Sequence, residues 1–206
     1  MQEQEVSDPL LAFPERLVKL SIALLLEVPI VFMICGGSDK VIENLGQSEY
    51  RLLLSIMPIC MAICGNVGSQ ASELTLRAIV QGNVDQKSYP LWILKEFGAS
   101  VYLGLAMSTL VGALCIVVGG FKWRFVSIVA SAQFLSILSA GLTGSLVPVL
   151  ATKVFNEVGN SWNSALVTAI QDLIASAIMV IMVYKLGEVP GPSEENGVPR
   201  WGADGL

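Results

Sequence analysis

The sequence contains no histidine, and only 14% of its 206 residues are charged. The absence of histidine excludes His-based acid–base catalysis, His-based pH sensing and His-containing zinc sites. A soluble domain would carry about 25% charged residues, whereas apolar residues make up 53% of this chain and lie in long runs. Each run approaches or exceeds the roughly 20 residues that a helix needs to cross a bilayer. The composition therefore predicts an integral membrane protein.

Cysteine is scarce too, and its positions do not suggest a metal site or a disulfide. Cys35, Cys60, Cys64 and Cys115 all lie inside apolar runs. Cys60 and Cys64 share one helical face, but no histidine is present to complete a zinc or iron site. We interpret the four cysteines as small buried apolar residues. No nucleophile–base pair is visible either, so an enzyme is not expected.

Five hydrophobic segments predict an all-α membrane protein with five transmembrane helices, and short connections make neighbouring helices antiparallel. Residues 1–16 form a short polar segment unlike the basic start of a cleavable signal peptide, so we expect the first hydrophobic segment to be retained. Residues 17–186 form the transmembrane domain, and residues 187–206, rich in Gly, Pro and Glu, form a flexible tail. The five segments span about residues 17–35, 52–80, 91–118, 125–149 and 165–184.

Small residues recur every four positions in segments three and four. Such spacing gives a helix a smooth face that allows another helix to approach closely. Pro148, near the end of segment four, is expected to kink or end that helix. The small residues are Gly104, Ser108 and Gly112 in segment three, and Ser136, Ala140 and Gly144 in segment four.

The most informative residue is an acid well inside segment five. Ser164, Thr168 and Asp172 fall at i, i+4 and i+8, which gives one polar stripe on an otherwise apolar helix, extended by Ser176. A carboxylate at mid-helix costs roughly 2.5–3.5 kcal/mol in a membrane. No basic residue lies at a similar depth to pair with Asp172. We therefore expect Asp172 to face a cation, a proton or a water-filled path, rather than only to bond to a neighbouring helix.

Segment two contains a second unusual motif, Gly-Asn-Val-Gly-Ser-Gln at residues 65–70. Gly65 and Gly68 weaken the helix and let another backbone or a ligand approach closely. Asn66 and Gln70 share one helical face, where they either line a pore or hydrogen-bond to another helix. The motif makes these residues candidates for a pore lining.

Two further acids lie in these segments. Glu73 shares the face of Asn66 and is spaced for an i,i+4 ion pair with Arg77, so it either lines the pore or serves that pair. Glu27 precedes a proline that frees backbone groups, and it either faces the pore or pairs with Lys19 or another helix. Both are candidate pore-lining residues.

The candidate ligands are oxygen atoms, which suit a hard cation such as Mg²⁺, Ca²⁺ or Na⁺ rather than copper or zinc. Mg²⁺ gives up water reluctantly and typically binds one or two carboxylates together with several waters. Two copies of Asp172 related by a two-fold axis would supply such a site. Two carboxylates match the number that Mg²⁺ typically binds, but they do not exclude Ca²⁺ or Na⁺.

Several of these motifs together resemble a known family. The sequence from Met57-Pro58 through Gly65-Asn66-Val67-Gly68-Ser69-Gln70-Ala71 to Arg77 resembles the second transmembrane helix of the MgtE magnesium transporters. Lys95-Glu96, Gly144 with Pro148, and the stretch from Thr168 to Asp172 are also similar to that family. The resemblance covers nearly the whole chain, from about Arg16 to Lys185.

The resemblance implies a five-helix protomer, a homodimer with the ion path between its subunits, and a plasma (inner) membrane location with the N-terminus cytoplasmic. Lys and Arg are evenly divided between the two sides, so the positive-inside rule does not set the orientation. By the family pattern, Asp172 would bind hydrated Mg²⁺, the transported ion, and the backbone carbonyl of Thr168 would help to hold its water shell. The expected partners are a second copy, the lipid bilayer, Mg²⁺ and, for an exchanger, Na⁺; no nucleic acid is expected.

The chain also departs from the family pattern. Val158-Gly159-Asn160 stands in the region of the usual Asp-Pro-Ala motif, and Ser164 stands where an Asn is common, although Asn163 is adjacent. About sixteen residues precede segment one, so the resemblance does not include the magnesium-sensing and CBS domains. Two alternatives stay open: a Na⁺- or H⁺-coupled exchanger using Glu27 or Asp172, and a non-transporting scaffold whose polar residues only join helices.

Overall fold

The structure is a computed structural model that describes residues 13–84, 88–120, 122–155 and 162–187. The described residues form five α-helices, each long and apolar enough to cross a membrane, which confirms the predicted membrane protein with five spans. Apart from their ends next to the helices, the predicted polar N-terminal segment and C-terminal tail lie outside the described residues. The helices are α1 (Phe13–Leu45), α2 (Gln47–Val80), α3 (Tyr89–Gly119), α4 (Trp123–Phe155) and α5 (Trp162–Gly187).

The helices extend beyond the apolar segments that predicted them. The helix α1 continues past Cys35, and Gly46 alone separates it from α2. Gly46 has a φ of 95°, in the left-handed region that glycine adopts without strain, which interrupts the helix there. The helix α4 passes through Pro148, so the expectation that this proline could end the helix is wrong. A proline removes one backbone hydrogen bond, and the remaining bonds of a long helix continue it on both sides of the proline.

The central helix of the bundle is α4, which packs against α2, α3 and α5, while α1 packs mainly against α5. The predicted small faces make these contacts. A Cβ on Gly104 would lie 2.9 Å from Phe134 Cδ2, and one on Gly144 would overlap the backbone oxygen of Gly68. The glycines of α3 and α4 therefore allow close helix approach, as expected from their spacing.

The outermost helix, α1, is covered least. Leu20, Leu25 and Phe32 are 66%, 71% and 72% exposed, so lipid or another protein chain must cover this surface in a membrane. Cys35 lies on the same helix and is exposed, so the prediction that all four cysteines are buried is wrong for Cys35. The other three, Cys60, Cys64 and Cys115, are buried as predicted.

Candidate ion-binding site

A groove between α2 and α5 contains the most specific of the predicted site residues. It has a volume of about 430 Å³, and its polar wall consists of Asn66 and Ser69 from α2 and Thr168 and Asp172 from α5. The remaining lining is Gly65 with the apolar side chains of Pro58, Met61 and Ala62. We call this feature the α2–α5 groove. It brings together the Gly-Asn motif and the polar stripe of segment five.

Helical spacing and one glycine place these groups side by side. Thr168 and Asp172 are four residues apart, so both side chains lie on the same face of α5. A Cβ on Gly65 would lie 3.3 Å from Thr168 Cγ2 and 3.6 Å from Asp172 Oδ1. The α2 backbone therefore passes directly beside the carboxylate, as expected for a glycine at this position. The hydroxyl oxygens of Ser69 and Thr168 are 3.2 Å apart and join the two helices by a hydrogen bond.

The electrostatics of the groove favour a cation. Asp172 is half-buried, and it forms no ion pair with any Lys or Arg among the described side chains. The charged group that acts on it is the Glu27 carboxylate of α1, which repels it. Two acids from different helices thus act on each other inside the membrane-spanning region. A cation near Asp172 would reduce both this repulsion and the cost of burying the carboxylate.

Among the described residues, the groove offers a metal ion one charged ligand, Asp172. No group of three or more Cys, Asp or Glu side chains within the described residues is arranged to hold a metal. An ion in the groove would therefore use one carboxylate, neutral oxygens and water. This ligand set suits Mg²⁺, which retains most of its water shell when protein binds it.

Other predicted pore-lining residues lie elsewhere in the single chain. Glu73 pairs with Arg77 at 3.5 Å on an exposed part of α2, and Gln70 is exposed. Gly68 instead faces α4 and α5, since a Cβ there would lie 3.3 Å from Val167 Cγ1 and 3.6 Å from the Ala140 carbonyl oxygen. The side chain of Ser164 lies outside the described residues. Glu27 is partly buried near Asp172 without belonging to the groove lining.

Sequence reasoning missed two fully buried amides, Gln133 and Gln171. Gln133 Nε2 in α4 donates to the carbonyl oxygen of Cys60 in α2 at 3.5 Å. Gln171 Nε2 in α5 donates to the Ser136 carbonyl oxygen and to Ser139 Oγ in α4, both at 3.1 Å. The signal was present, because an uncharged amide inside an apolar run is costly in a membrane for the same reason as an acid.

The five long apolar helices define an integral membrane protein. Residues 57–182 match the MgtE family, described as divalent cation transporters. This match spans more than half of the chain and includes the whole lining of the α2–α5 groove. The chain therefore belongs to the MgtE family of divalent cation transporters, which is not a family of enzymes.

Two curated proteins show the same relationship. The chain is 25% identical over 127 residues to the magnesium transporter MgtE of Bacillus subtilis, covering 61% of this chain and 28% of that protein. It is 26% identical over 141 residues to the magnesium transporter MgtE of Thermus thermophilus, covering 66% of this chain and 29% of that protein. The chain thus spans less than a third of the length of these curated relatives.

Proposed function

We propose that this chain transports divalent cations across a membrane, with Mg²⁺ preferred, and that the α2–α5 groove is one wall of the ion path. The observation that carries this proposal is the position of Asp172. Its carboxylate lies within a membrane-spanning helix, half-buried, without a basic partner among the described side chains and beside neutral oxygen groups. The two relatives described as magnesium transporters support Mg²⁺ as the preferred ion.

The dimensions of the groove suit a hydrated ion. Six waters in an octahedral shell occupy roughly 180 Å³ at the density of liquid water. The groove has a volume of about 430 Å³ and therefore has room for a hydrated Mg²⁺. In this mechanism the Asp172 carboxylate attracts the ion, while Asn66 and the backbone carbonyl of Thr168 accept hydrogen bonds from its water shell. The ion keeps its inner waters, so their removal is not required.

We infer that a second copy completes the path. Asn66 is exposed in the single chain although it lies within a membrane-spanning helix. A polar amide facing lipid is unfavourable, so water or protein should cover this surface. A homodimer with facing grooves would cover Asn66 and bring two Asp172 carboxylates to one ion. We also propose that the chain lies in the plasma (inner) membrane with its N-terminus in the cytoplasm.

The proposal is tested by replacing the carboxylate with its neutral isostere. Asp172→Asn keeps the size of the side chain and removes its charge, so Mg²⁺ flux into liposomes should fall to the level of empty liposomes. Asp39→Asn is the matched control, because Asp39 is an exposed acid at the end of the span in α1 and does not line the groove. Flux of Asp172→Asn equal to that of the control would refute the role of Asp172 in transport. Wild-type flux at the level of empty liposomes would instead support the non-transporting scaffold.

The dimer is tested by cross-linking through the groove. In a Cys35→Ala background, which removes the exposed native thiol, Asn66→Cys should form a disulfide between two copies under mild oxidation. The control is Tyr102→Cys on α3, where the side chain is 77% exposed and does not belong to the groove lining. Cross-linking at position 102 but not at position 66 would contradict facing grooves.

A coupled exchanger is the second candidate, and the position of Glu27 favours it. The Glu27 carboxylate repels the charge of Asp172, so a proton or a Na⁺ bound near either acid would relieve this repulsion during transport. Mg²⁺ flux should then depend on a Na⁺ or H⁺ gradient across the liposome membrane, and Glu27→Gln should remove that dependence. Flux that is independent of both gradients would refute the coupled exchanger and support an uncoupled ion path.

A further inference from the structure

The residue before Asp172 is a fully buried amide that faces a different neighbour. Val167, Gln171 and Ala175 form a buried stripe on α5, and Gln171 is the polar member of this stripe. Its Nε2 donates to the Ser136 carbonyl oxygen and to Ser139 Oγ, both at 3.1 Å. Gln171 therefore joins α5 to α4 at the level of the ion site, although it does not line the α2–α5 groove.

Gln171 lies where α2, α4 and α5 meet. A Cβ on Gly68 of α2 would lie 3.8 Å from Gln171 Cγ and 3.6 Å from the Ala140 carbonyl oxygen of α4. Successive residues of an α-helix project about 100° apart around its axis. With Gln171 bonded to α4, the rotation of α5 about its axis is set, and this rotation points Asp172 towards α2.

Burying this amide between two helices has an energetic cost. Gln171 Oε1 is buried and has no hydrogen-bond partner in the described part of the chain. A methionine of similar volume would fill the same space without an unpaired acceptor. Apolar packing is non-directional, however, whereas a hydrogen bond weakens steeply when its angle changes. The amide thus adds orientation to a contact that an apolar side chain could make by packing alone.

We infer that Gln171 is a positioning residue for Asp172: its two hydrogen bonds to α4 set the rotation of α5 and hold the carboxylate in the α2–α5 groove. This inference rests on the proposed function, in which the groove binds the ion. Residues that orient a metal ligand without touching the metal typically change metal affinity by about 10- to 100-fold when replaced. Loss of the Gln171 amide should weaken Mg²⁺ binding by a factor in this range.

The test compares two buried amides. Gln171→Met is the variant, and Gln133→Met is the matched control, because Gln133 is equally buried and also has an unpaired Oε1 within the described residues, but its Nε2 bonds to α2. Each purified full-length protein is titrated with MgCl₂, and thermal unfolding is followed to obtain the apparent Mg²⁺ affinity. Gln171→Met should unfold without Mg²⁺ at or above the wild-type temperature and bind Mg²⁺ about 10- to 100-fold more weakly. Gln133→Met should retain the wild-type affinity.

A second substitution removes one acceptor of the bonded pair. Ser139→Ala should weaken Mg²⁺ binding in the wild-type background and have no further effect in Gln171→Met, since the two residues act through one hydrogen bond. Wild-type affinity in either Gln171→Met or Ser139→Ala would overturn the positioning role. Equal weakening in Gln171→Met and Gln133→Met would also overturn it, because the effect would then follow from general loosening of the bundle. Should Gln171→Met not fold, Ser139→Ala alone decides the question.

The same titration separates this inference from the proposed function. If wild-type protein shows Mg²⁺ binding that Asp172→Asn abolishes, the site is established whatever Gln171 does. If wild-type binding is absent or unaffected by Asp172→Asn, the ion site and the role of Gln171 both fail.

Discussion

A close contact between α2 and α4 makes Gly144 a sensitive position at which to add a single methyl group. A Cβ at position 144 would overlap the Gly68 carbonyl oxygen and lie 2.8 Å from Ala71 Cβ. These atoms belong to the backbone of a long helix and to a side chain without rotamers, so neither can move aside alone. Gly144→Ala must therefore push α2 away from α4.

The expected loss follows from the cost of overfilling a packed interior, which is about 1–3 kcal/mol. For a chain of 150–250 residues, about 1 kcal/mol corresponds to roughly 2–4 °C in Tm. We expect Gly144→Ala to lower the Tm by about 2–12 °C. Because the Gly65 backbone lies beside Asp172 on the same helix as Gly68, the displacement should also weaken Mg²⁺ binding.

Gly112→Ala provides the matched control in α3. A Cβ there would lie 3.6 Å from both Ala130 Cβ and Val126 Cγ1, which is ordinary van der Waals contact. The substitution should raise stability, since alanine is favoured over glycine in a helix interior by roughly 0.8–1.0 kcal/mol. Thermal unfolding of both variants in the same detergent, followed by tryptophan fluorescence, measures the difference. A Tm for Gly144→Ala equal to or above that of Gly112→Ala would refute the reasoning from the contact geometry.

Three further outcomes follow from other contacts. Trp92→Phe removes the 3.0 Å hydrogen bond from Trp92 Nε1 to the buried Thr75 Oγ1 and should lower the free energy of unfolding by about 1–3 kcal/mol. In a Thr75→Val background this bond is already absent, so Trp92→Phe should cost less there. An equal loss in both backgrounds would contradict a role for the bond. A maleimide should label Cys35 in the folded protein and reach the three buried cysteines only after denaturation, and labelling of more than one thiol in the folded state would show that the packing is wrong. Lys122→Met breaks the ion pair with Glu49 of α2, but Lys122 is 45% exposed, so the loss should not exceed about 1 kcal/mol, and a larger fall in unfolding free energy would mean that this pair is more than a surface contact.

The five helices could be predicted from composition and length, because a membrane requires long apolar segments whatever the tertiary structure. Their ends could not, since polar residues beyond the bilayer continue a helix without an apolar signal. The helix α1 continues past Cys35 to Leu45 for this reason, and α4 reaches Phe155 through Pro148. The extent of each helix outside the apolar layer depends on local contacts that hydrophobicity does not describe.

The candidate site could likewise be predicted only in part. Helical spacing correctly grouped Thr168 with Asp172 on one face, and both line the α2–α5 groove. The same reasoning placed Gln70 and Glu73 with Asn66, but only Asn66 lines the groove. Periodicity gives the angular position of a residue on its own helix and does not identify the helix opposite. Gln171 was not predicted, because the sequence was searched for charged side chains and the neutral amide beside Asp172 carries no charge.

None of the described side chains of α4 lines the α2–α5 groove, yet α4 packs against both helices that form it. Engineering of the ion preference that altered only the lining would leave the distance between the two walls unchanged. Substitutions in α4 at the contacts of Gly68 and Gln171 would change that distance while every side chain that lines the groove stayed the same. If the groove is the ion path proposed above, a helix outside its lining is thus the place to adjust the size of the ion that the groove accepts.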